Sequence, residues 1–464
     1  MYLSHYYLEL ERRKRRISSS GRKVFEVENF DLKIHFLYFP IIGDSQPRES
    51  PLLMISLKET ISEFCSVDNS INNQNINAMN KFLKSAALIA VSAMFAVNFS
   101  SCNKDPQNNG EEANIETKDA VIKQYLNHTV YPTYANLAAK TETLVGDLQT
   151  LKADKTQGNL EKACASFLEA RHWWEMSEAF LFGAASDFGI DPHIDSWPLD
   201  ETEFNSLMSQ LDLIALLAQD EDGSVAKEKL PTQLLGFHGL EYILFRNGQA
   251  RPINEITDDY MIYVVAVARD LRNHCYQLEV SWNDNAPQAH KDLLEDLEFN
   301  TTFANGNTYG ENMTLAGQAG STYATRTQAL QAILDGCIDI ADEVGTSKIG
   351  KPHTGDDPTY VESPYSQKSI TDFADNITSI QNAYMGGNEG ERDEDLSLHR
   401  FIKDFDADLD TKVVEAINNA INKINHMKAP FVTNYLDASA GEAMEACQNL
   451  SDVLGDAKTA LNEK

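Results

Sequence analysis

From Thr117 to the C-terminus the apolar residues recur at steps of three and four, and runs that alternate at period two are almost absent. Such a chain can bury apolar surface only along helix faces, so the expected class is all-α. A first long helix is expected over 118–151, where Val121, Tyr125, Leu126, Val130, Tyr134, Leu137, Leu144 and Leu148 make one stripe, with a bend at Pro132. Others are expected over 159–187, over 201–217 with Asp200 as N-cap, and over 231–245, stopping at Asn247-Gly248. A second set covers 258–280, 324–344, 369–383, 395–427 and 439–461. Four helices on short connections read as a bundle. We therefore expect two helical bundles, 117–250 and 251–464, packed against each other.

The stretch before Thr117 reads differently. Residues 79–101, beginning MNKFLKSAALIAVSAMFAV, have the three parts of an export signal: Lys81 and Lys84, an apolar run of about a dozen residues that is short for a bilayer span, and small residues before Cys102. This pattern resembles a lipoprotein signal, in which Cys102 becomes the lipid anchor. Residues 102–116 are polar and acidic and are expected to be a flexible tether. Residues 1–78, with the basic run Arg12 to Arg16 and an Asn-rich stretch, share no composition with the rest and are expected to be an upstream extension from a mis-called start. The expected location is the cell envelope, lipid-anchored at the outer membrane and facing the periplasm or the surface.

Charge narrows the partners. With 39 Lys+Arg against 70 Asp+Glu the net charge is -31, which repels phosphate backbones and anionic headgroups. No nucleic acid is expected as partner, and membrane contact is expected through the lipid anchor alone. An apolar fraction of 42% excludes wholesale disorder. Six scattered cysteines without a CxxC pair exclude a zinc ribbon and a dithiol redox motif.

The segment LGFHGLEYILF, 235–245, embeds His238 and Glu241 in apolar sequence. Three residues are about 300° of helical rotation, so the imidazole and carboxylate share a face. Such a pair can ligate a metal, or the carboxylate can orient the ring. A buried histidine satisfied by a neighbouring glutamate has the same letters, and the residues leave both readings open. Gly236 and Gly239 clear space for a close approach to the backbone.

Other segments add context: ARHWWEMSEAFLFGAASDFGIDPHIDSWPLD at 170–200, the run ESPYSQKSITDFADN from Glu362 to Asn376, the NAYMG turn and the closing CQNLSDVL. Together with GFHGLE, these resemble the imelysin family of bacterial envelope proteins in order and spacing over nearly all of 117–464. The resemblance implies two helical bundles with the GxHxxE helix at the groove between them, an association with iron uptake, and a classification among metallopeptidases. It carries Gly236, His238 and Glu241 over as the motif residues, and Glu362, Ser363, Ser366, Asp372 and Asn376 as a second constellation. Metal or ligand binding is expected of His238, Glu241, Glu362 and Asp372, supported by Gly236, Ser363, Ser366, Asn376 and Arg171.

Peptidase chemistry is weakly supported. Zinc peptidases need three protein ligands, an open position and a base, and the sequence has neither HExxH nor HxxEH. A GxSxG elbow is missing as well. One imidazole with several carboxylates suits iron, with zinc or calcium as alternatives. The favoured expectation is an envelope lipoprotein that binds iron or a small iron-bearing ligand for uptake, with envelope transport partners. A metallopeptidase and a non-catalytic module for a peptide or glycan are the alternatives. His193, after Asp191-Pro192, reads as a solvated loop residue.

Overall fold

The structure, a computed structural model, describes residues 109–462. The signal, the Cys102 anchor and the upstream extension lie outside the described residues. The described residues form one compact unit. Nine helices organise it: α1 Asn109–Tyr125, α2 Tyr131–Ala153, α3 Gln157–Glu175, α4 Gly236–Leu244, α5 Asp258–Trp282, α6 Arg326–Glu343, α7 Ser369–Met385, α8 Ala407–Asn425 and α9 Ala438–Leu461. Among the described residues the strands are limited to a hairpin of β1, Phe245–Arg246, and β2, Gln249–Ala250.

Helices α2, α3, α4 and α5 pack on one another, and α6 to α9 form a second group joined by α6–α9, α8–α9, α7–α8 and α6–α7 contacts. Helix α5 follows the expected boundary near residue 250 yet lies along α2, because its apolar face (Val264, Val267, Leu271, Leu278) needs that neighbour. Helix α1 docks on α6 of the second group, and a π-helical turn, Leu126–Val130, then leads into α2 just before Pro132. Helix α1 starts at Asn109, inside the stretch expected as a tether, where Val121, Ile122 and Tyr125 bury their side chains. The two groups meet where α3 and the turn Glu178–Phe180 lie against α6 and α7, and a continuous apolar core runs through both.

Several expected helices are shorter. The one expected over 159–187 stops at Glu175: Ser177 folds its hydroxyl onto the Trp174 carbonyl at 2.7 Å, and the Ala179 amide goes to Ser379 Oγ at 3.0 Å. The one over 201–217 is two pieces, Glu201–Met208 and Leu211–Leu217, and Asp200 caps the first through the amides of Thr202 and Glu203, both at 2.9 Å. The one over 395–427 breaks at Asp404–Asp406, where Asp406 caps α8 through the Leu409 amide at 2.9 Å. Helix α4 is buried all round, its nine residues surrounded by protein on every face, and Asn247-Gly248 turns the chain after it.

Candidate metal centre

Gly236 opens α4 at φ 64°, and a Cβ there would lie 1.8 Å from the carbonyl oxygen of Ile194. The glycine thus lets the turn Asp191–Ile194 rest directly on the helix, which delivers the next residue, Asp195, to the imidazole one turn on. His238 Nε2 lies 3.0 Å from Asp195 Oδ1, and both side chains are buried. Asp195 also accepts from Trp174 Nε1 at 2.7 Å and from Arg171 Nη1.

Glu241 faces the other way. Its Oε1 accepts the backbone amides of Tyr365 and Ser366, at 3.1 and 2.7 Å, while Oε2 stands 3.7 Å from His238 Nδ1. The loop that supplies these amides is strained, with Ser363 at φ 49° and Gln367 at φ 59°, a conformation that costs about 1 kcal/mol or more per residue. Hydrogen bonds to Glu241 and from Gly248 N to Tyr365 O, at 2.9 Å, hold it there. The glutamate of the motif therefore ties the second half of the chain to α4 as well as orienting the histidine.

That loop brings in Glu362, whose Oε1 lies 2.5 Å from Arg171 Nη2 and 3.3 Å from Lys348 Nζ. Lys348, fully buried, also approaches Glu175 at 3.8 Å and Glu178 at 3.5 Å. Arg171 pairs in addition with Glu175, four residues on, and packs 5.2 Å over the Phe237 ring. Asn376 donates to Glu175 at 2.6 Å, and Ser363 Oγ donates to Asp372 at 2.5 Å.

Six buried carboxyls (Glu175, Glu178, Asp195, Glu241, Glu362 and Asp372) thus face two permanent cations, Arg171 and Lys348. Burial opposes the charge on Asp195, but Arg171 and the His238 bond outweigh it and hold the carboxyl well below its usual range. Burial likewise opposes the charge on His238, and Asp195 and Glu241 overcome it to raise the imidazole to about 9. Burial wins at Glu175 and Glu178, which are pushed well above the ordinary glutamate range, and raises Asp372 to about 7. Carboxylates and carboxylic acids therefore coexist around one imidazolium.

Of the residues expected to ligate a metal, His238 and Glu362 come together with Asp195, their ligand atoms within 4.8 Å of one another. Glu175, Glu178 and Asp195 form an overlapping set. Glu241 and Asp372 are in neither set; they hold the loop and the serine. Buried atoms of the cluster that lack a hydrogen-bond partner include His238 Nε2, Glu362 Oε2, Glu241 Oε2 and Glu175 Oε1. Glu175 Oε1 still faces Arg171, and the two ring nitrogens of His238 face Asp195 and Glu241, so the acceptor left without any donor is Glu362 Oε2; a cation would satisfy it, and the donor set fits a metal that shares Asp195 and Glu362 with Arg171. The cluster is enclosed rather than laid along an open groove; a cavity of about 260 Å³ reaches it from outside, lined by Glu178, Asp191, Asp195, Glu343, Trp197 and Tyr360 among others. Burial, then Asp195, lifts Asp191 in that mouth to about 7.

Asp195, Glu175, Glu178 and Lys348 were not singled out by sequence reasoning. Asp195 is the first letter of D-x-W-P-L-D, and Glu175 sits four residues after Arg171 on an otherwise apolar face; both were visible signals. Lys348, in a π-helical turn, carries none. His193 is not a solvated loop residue, since Asp270 accepts its Nε2 at 2.8 Å.

A family model described as Imelysin, within peptidase class M75, matches residues 130–456. The chain belongs to the imelysin family. This imelysin is 29% identical over 57% of its length to iron-regulated protein A of Synechococcus elongatus and spans 64% of that relative. A crystal structure from Parabacteroides distasonis, of a protein named for iron-regulated protein A, matches it with a TM-score of 0.64 at 28% identity, over 74% of this chain and 95% of that one. An imelysin-like protein from Psychrobacter arcticum, 14% identical, shares the fold with a TM-score of 0.51, over 76% and 95% of the two chains.

Proposed function

We propose that this imelysin is a lipid-anchored envelope protein, held through Cys102, that takes up a metal ion, iron in the first place, into the cluster around Asp195, His238 and Glu362. The observation that carries the reading is the excess of buried carboxyls over cations, combined with the buried Glu362 Oε2, which has no donor. One imidazole among carboxylates is a hard-to-borderline donor set that suits iron, with zinc or calcium as alternatives. The relatives named for iron regulation agree with that choice. Iron would supply the positive charge the carboxyls lack, and the residues of the chain do the rest: Arg171 and Trp174 hold Asp195, and Glu241 holds the imidazole. No helix among the described residues is long and apolar enough to cross a membrane.

Peptide hydrolysis asks for a ligand position open to substrate. His238, Asp195 and Glu362 are each at most 3% exposed, which favours storage or transfer of an ion over cleavage.

The test is metal content by mass spectrometry after incubating the full chain separately with Fe(II), Fe(III), Zn(II) and Ca(II). Bound iron that is lost in His238→Gln and in Glu362→Gln supports the reading. Iron content unchanged in both variants, or none in the parent, overturns it.

A further inference from the structure

A second group of metal-binding side chains lies outside this cluster. Helix α5 carries Asp270 and His274 one turn apart, and the turn Asp191–Ile194 lays His193 across them. His193 Nε2 is 2.8 Å from Asp270 Oδ2, and His274 Nδ1 is 3.2 Å from Asp270 Oδ1. The imidazole rings face each other with centroids 4.0 Å apart at 34°. We propose that His193, Asp270 and His274 form a second metal site, for a divalent first-row transition ion such as Fe(II) or Zn(II).

Three observations carry this. The first is spacing: ligand atoms each about 2.1 Å from one ion are about 3.0 Å apart at right angles and about 3.4 Å apart at tetrahedral angles. One ligand atom from each of His193, Asp270 and His274 lies within 4.8 Å of the others, and the two imidazoles flank the two oxygens of one carboxylate at 2.8 and 3.2 Å, close enough for one ion to draw all three together. The second is an acceptor that shares its donor. Asp270 is fully buried, and its Oδ1 lacks a hydrogen bond of its own: the neighbouring His274 Nδ1, 3.2 Å away, is closer to the Asp270 carbonyl oxygen at 2.9 Å, and one proton there serves both acceptors. Moving that proton to Nε2 frees His274 Nδ1 as a ligand beside Oδ1, and the same shift in His193, from Nε2 to Nδ1, frees its Nε2. The third is access: the His193 side chain is 17% exposed, whereas Asp270 is not exposed at all, so an ion enters past His193 and keeps open positions on that side.

Two imidazoles and one carboxylate form a set that binds Fe(II) or Zn(II) with coordination positions left over. Gly223 allows its own loop to close over the backbone of Asp270, where a Cβ would come within 2.6 Å of the amide nitrogen. The edge of Phe299 meets His274 at 5.1 Å. The inner side of the site is thereby walled off, and its outer side faces solvent.

The test uses the full chain, stripped with chelator and titrated with Co(II), whose visible absorption reports ligation, alongside crystals soaked in Zn(II). The proposal expects an anomalous peak within about 2.2 Å of His193 Nε2 and an Asp270 oxygen. It also expects His193→Gln, at the exposed edge, to lose one equivalent of Co(II) while its circular dichroism is retained. Occupancy at His238 is read separately from the same map, so failure of one site is distinct from failure of the other. A map without a peak at His193, or a Co(II) stoichiometry unchanged in His193→Gln, overturns the proposal.

Discussion

Asp195→Asn is the substitution that most directly tests how the central cluster is held together. It keeps the volume of the side chain and removes one charge from contact with Arg171, Trp174 and His238. An amide in place of the carboxylate also turns an NH2 donor toward donors. The imidazole of His238 is lifted from 6.5 to about 9, chiefly against burial and by Asp195 before Glu241. At 1.36 kcal/mol per pKa unit that interval corresponds to about 3.4 kcal/mol of preference for the charged ring in the folded state. Without Asp195, burial and the neighbouring Arg171 pull the imidazole back toward or below 6.5. Arg171 meanwhile keeps its charge with one partner fewer, and breaking a buried pair costs about 3–5 kcal/mol. The expected loss at pH 7 is therefore about 3 kcal/mol, which shifts the urea midpoint by about 1 M at a slope near 3 kcal/mol/M. Urea denaturation and NMR titration of the imidazole check the two halves separately. A midpoint unchanged within error, with His238 still titrating near 9, would refute the electrostatic account.

Gly236→Ala is expected to cost more than about 4 kcal/mol. The left-handed backbone alone costs about 1–2 kcal/mol for alanine, and the Cβ must displace the Ile194 carbonyl, 1.8 Å away. A loss below about 1 kcal/mol in chemical denaturation rules out that close contact. For the metal-free protein, stability is expected to fall as pH rises from about 4 to 9. Both His238, at about 9, and Asp372, at about 7, have folded pKa values above their unfolded ones of 6.5 and 3.8. Each therefore stabilises fully below its unfolded value and loses that contribution as pH passes its folded value. Thermal midpoints in chelator that climb over that range would contradict it. Cys164, Cys275, Cys337 and Cys447 are buried and unpaired, and burial pushes the thiols of Cys164 and Cys447 up to about 12. Dithiothreitol is expected to leave the thermal midpoint unchanged and iodoacetamide to leave the native thiols unmodified. A reductant-dependent drop would reveal a disulfide.

The all-α class and the capping by Asp200 could be read directly from periodicity and local chemistry, because both depend on neighbours in sequence. The helix end at Glu175 could not. Ala170 to Phe182 is apolar enough to continue, and only tertiary bonds to Ser379 and the fold-back of Ser177 show why it stops. At the site, His238 was legible as a polar residue in an apolar helix, and Glu362 only through the resemblance to the imelysin family. The partner that completes the set, Asp195, is brought from 43 residues upstream by a contact that only Gly236 permits. The D-x-W-P-L-D letters displayed it, but spacing along the chain gave no reason to bring it to His238. His193 was misjudged for the same reason, since its partner Asp270 lies on another helix.

The two clusters share one short segment: His193 reaches α5, and Asp195, two residues on, reaches α4. At the centre, the unequal count of carboxyls and cations has two physical remedies in a dry site, protons or a metal ion. In the metal-free protein protons do the work, which is why Glu175, Glu178 and Asp372 are lifted so far and why His238 is an imidazolium at neutral pH. A metal entering at pH 7 must displace protons, beginning with the one on His238 Nε2, so its apparent affinity rises about tenfold per pH unit up to about 9 for each proton released. The same exchange run backwards means that acidification expels the ion. If the proposed metal binds here, it and the protons it replaces would pass the acidic mouth lined by Glu178, Asp191 and Glu343.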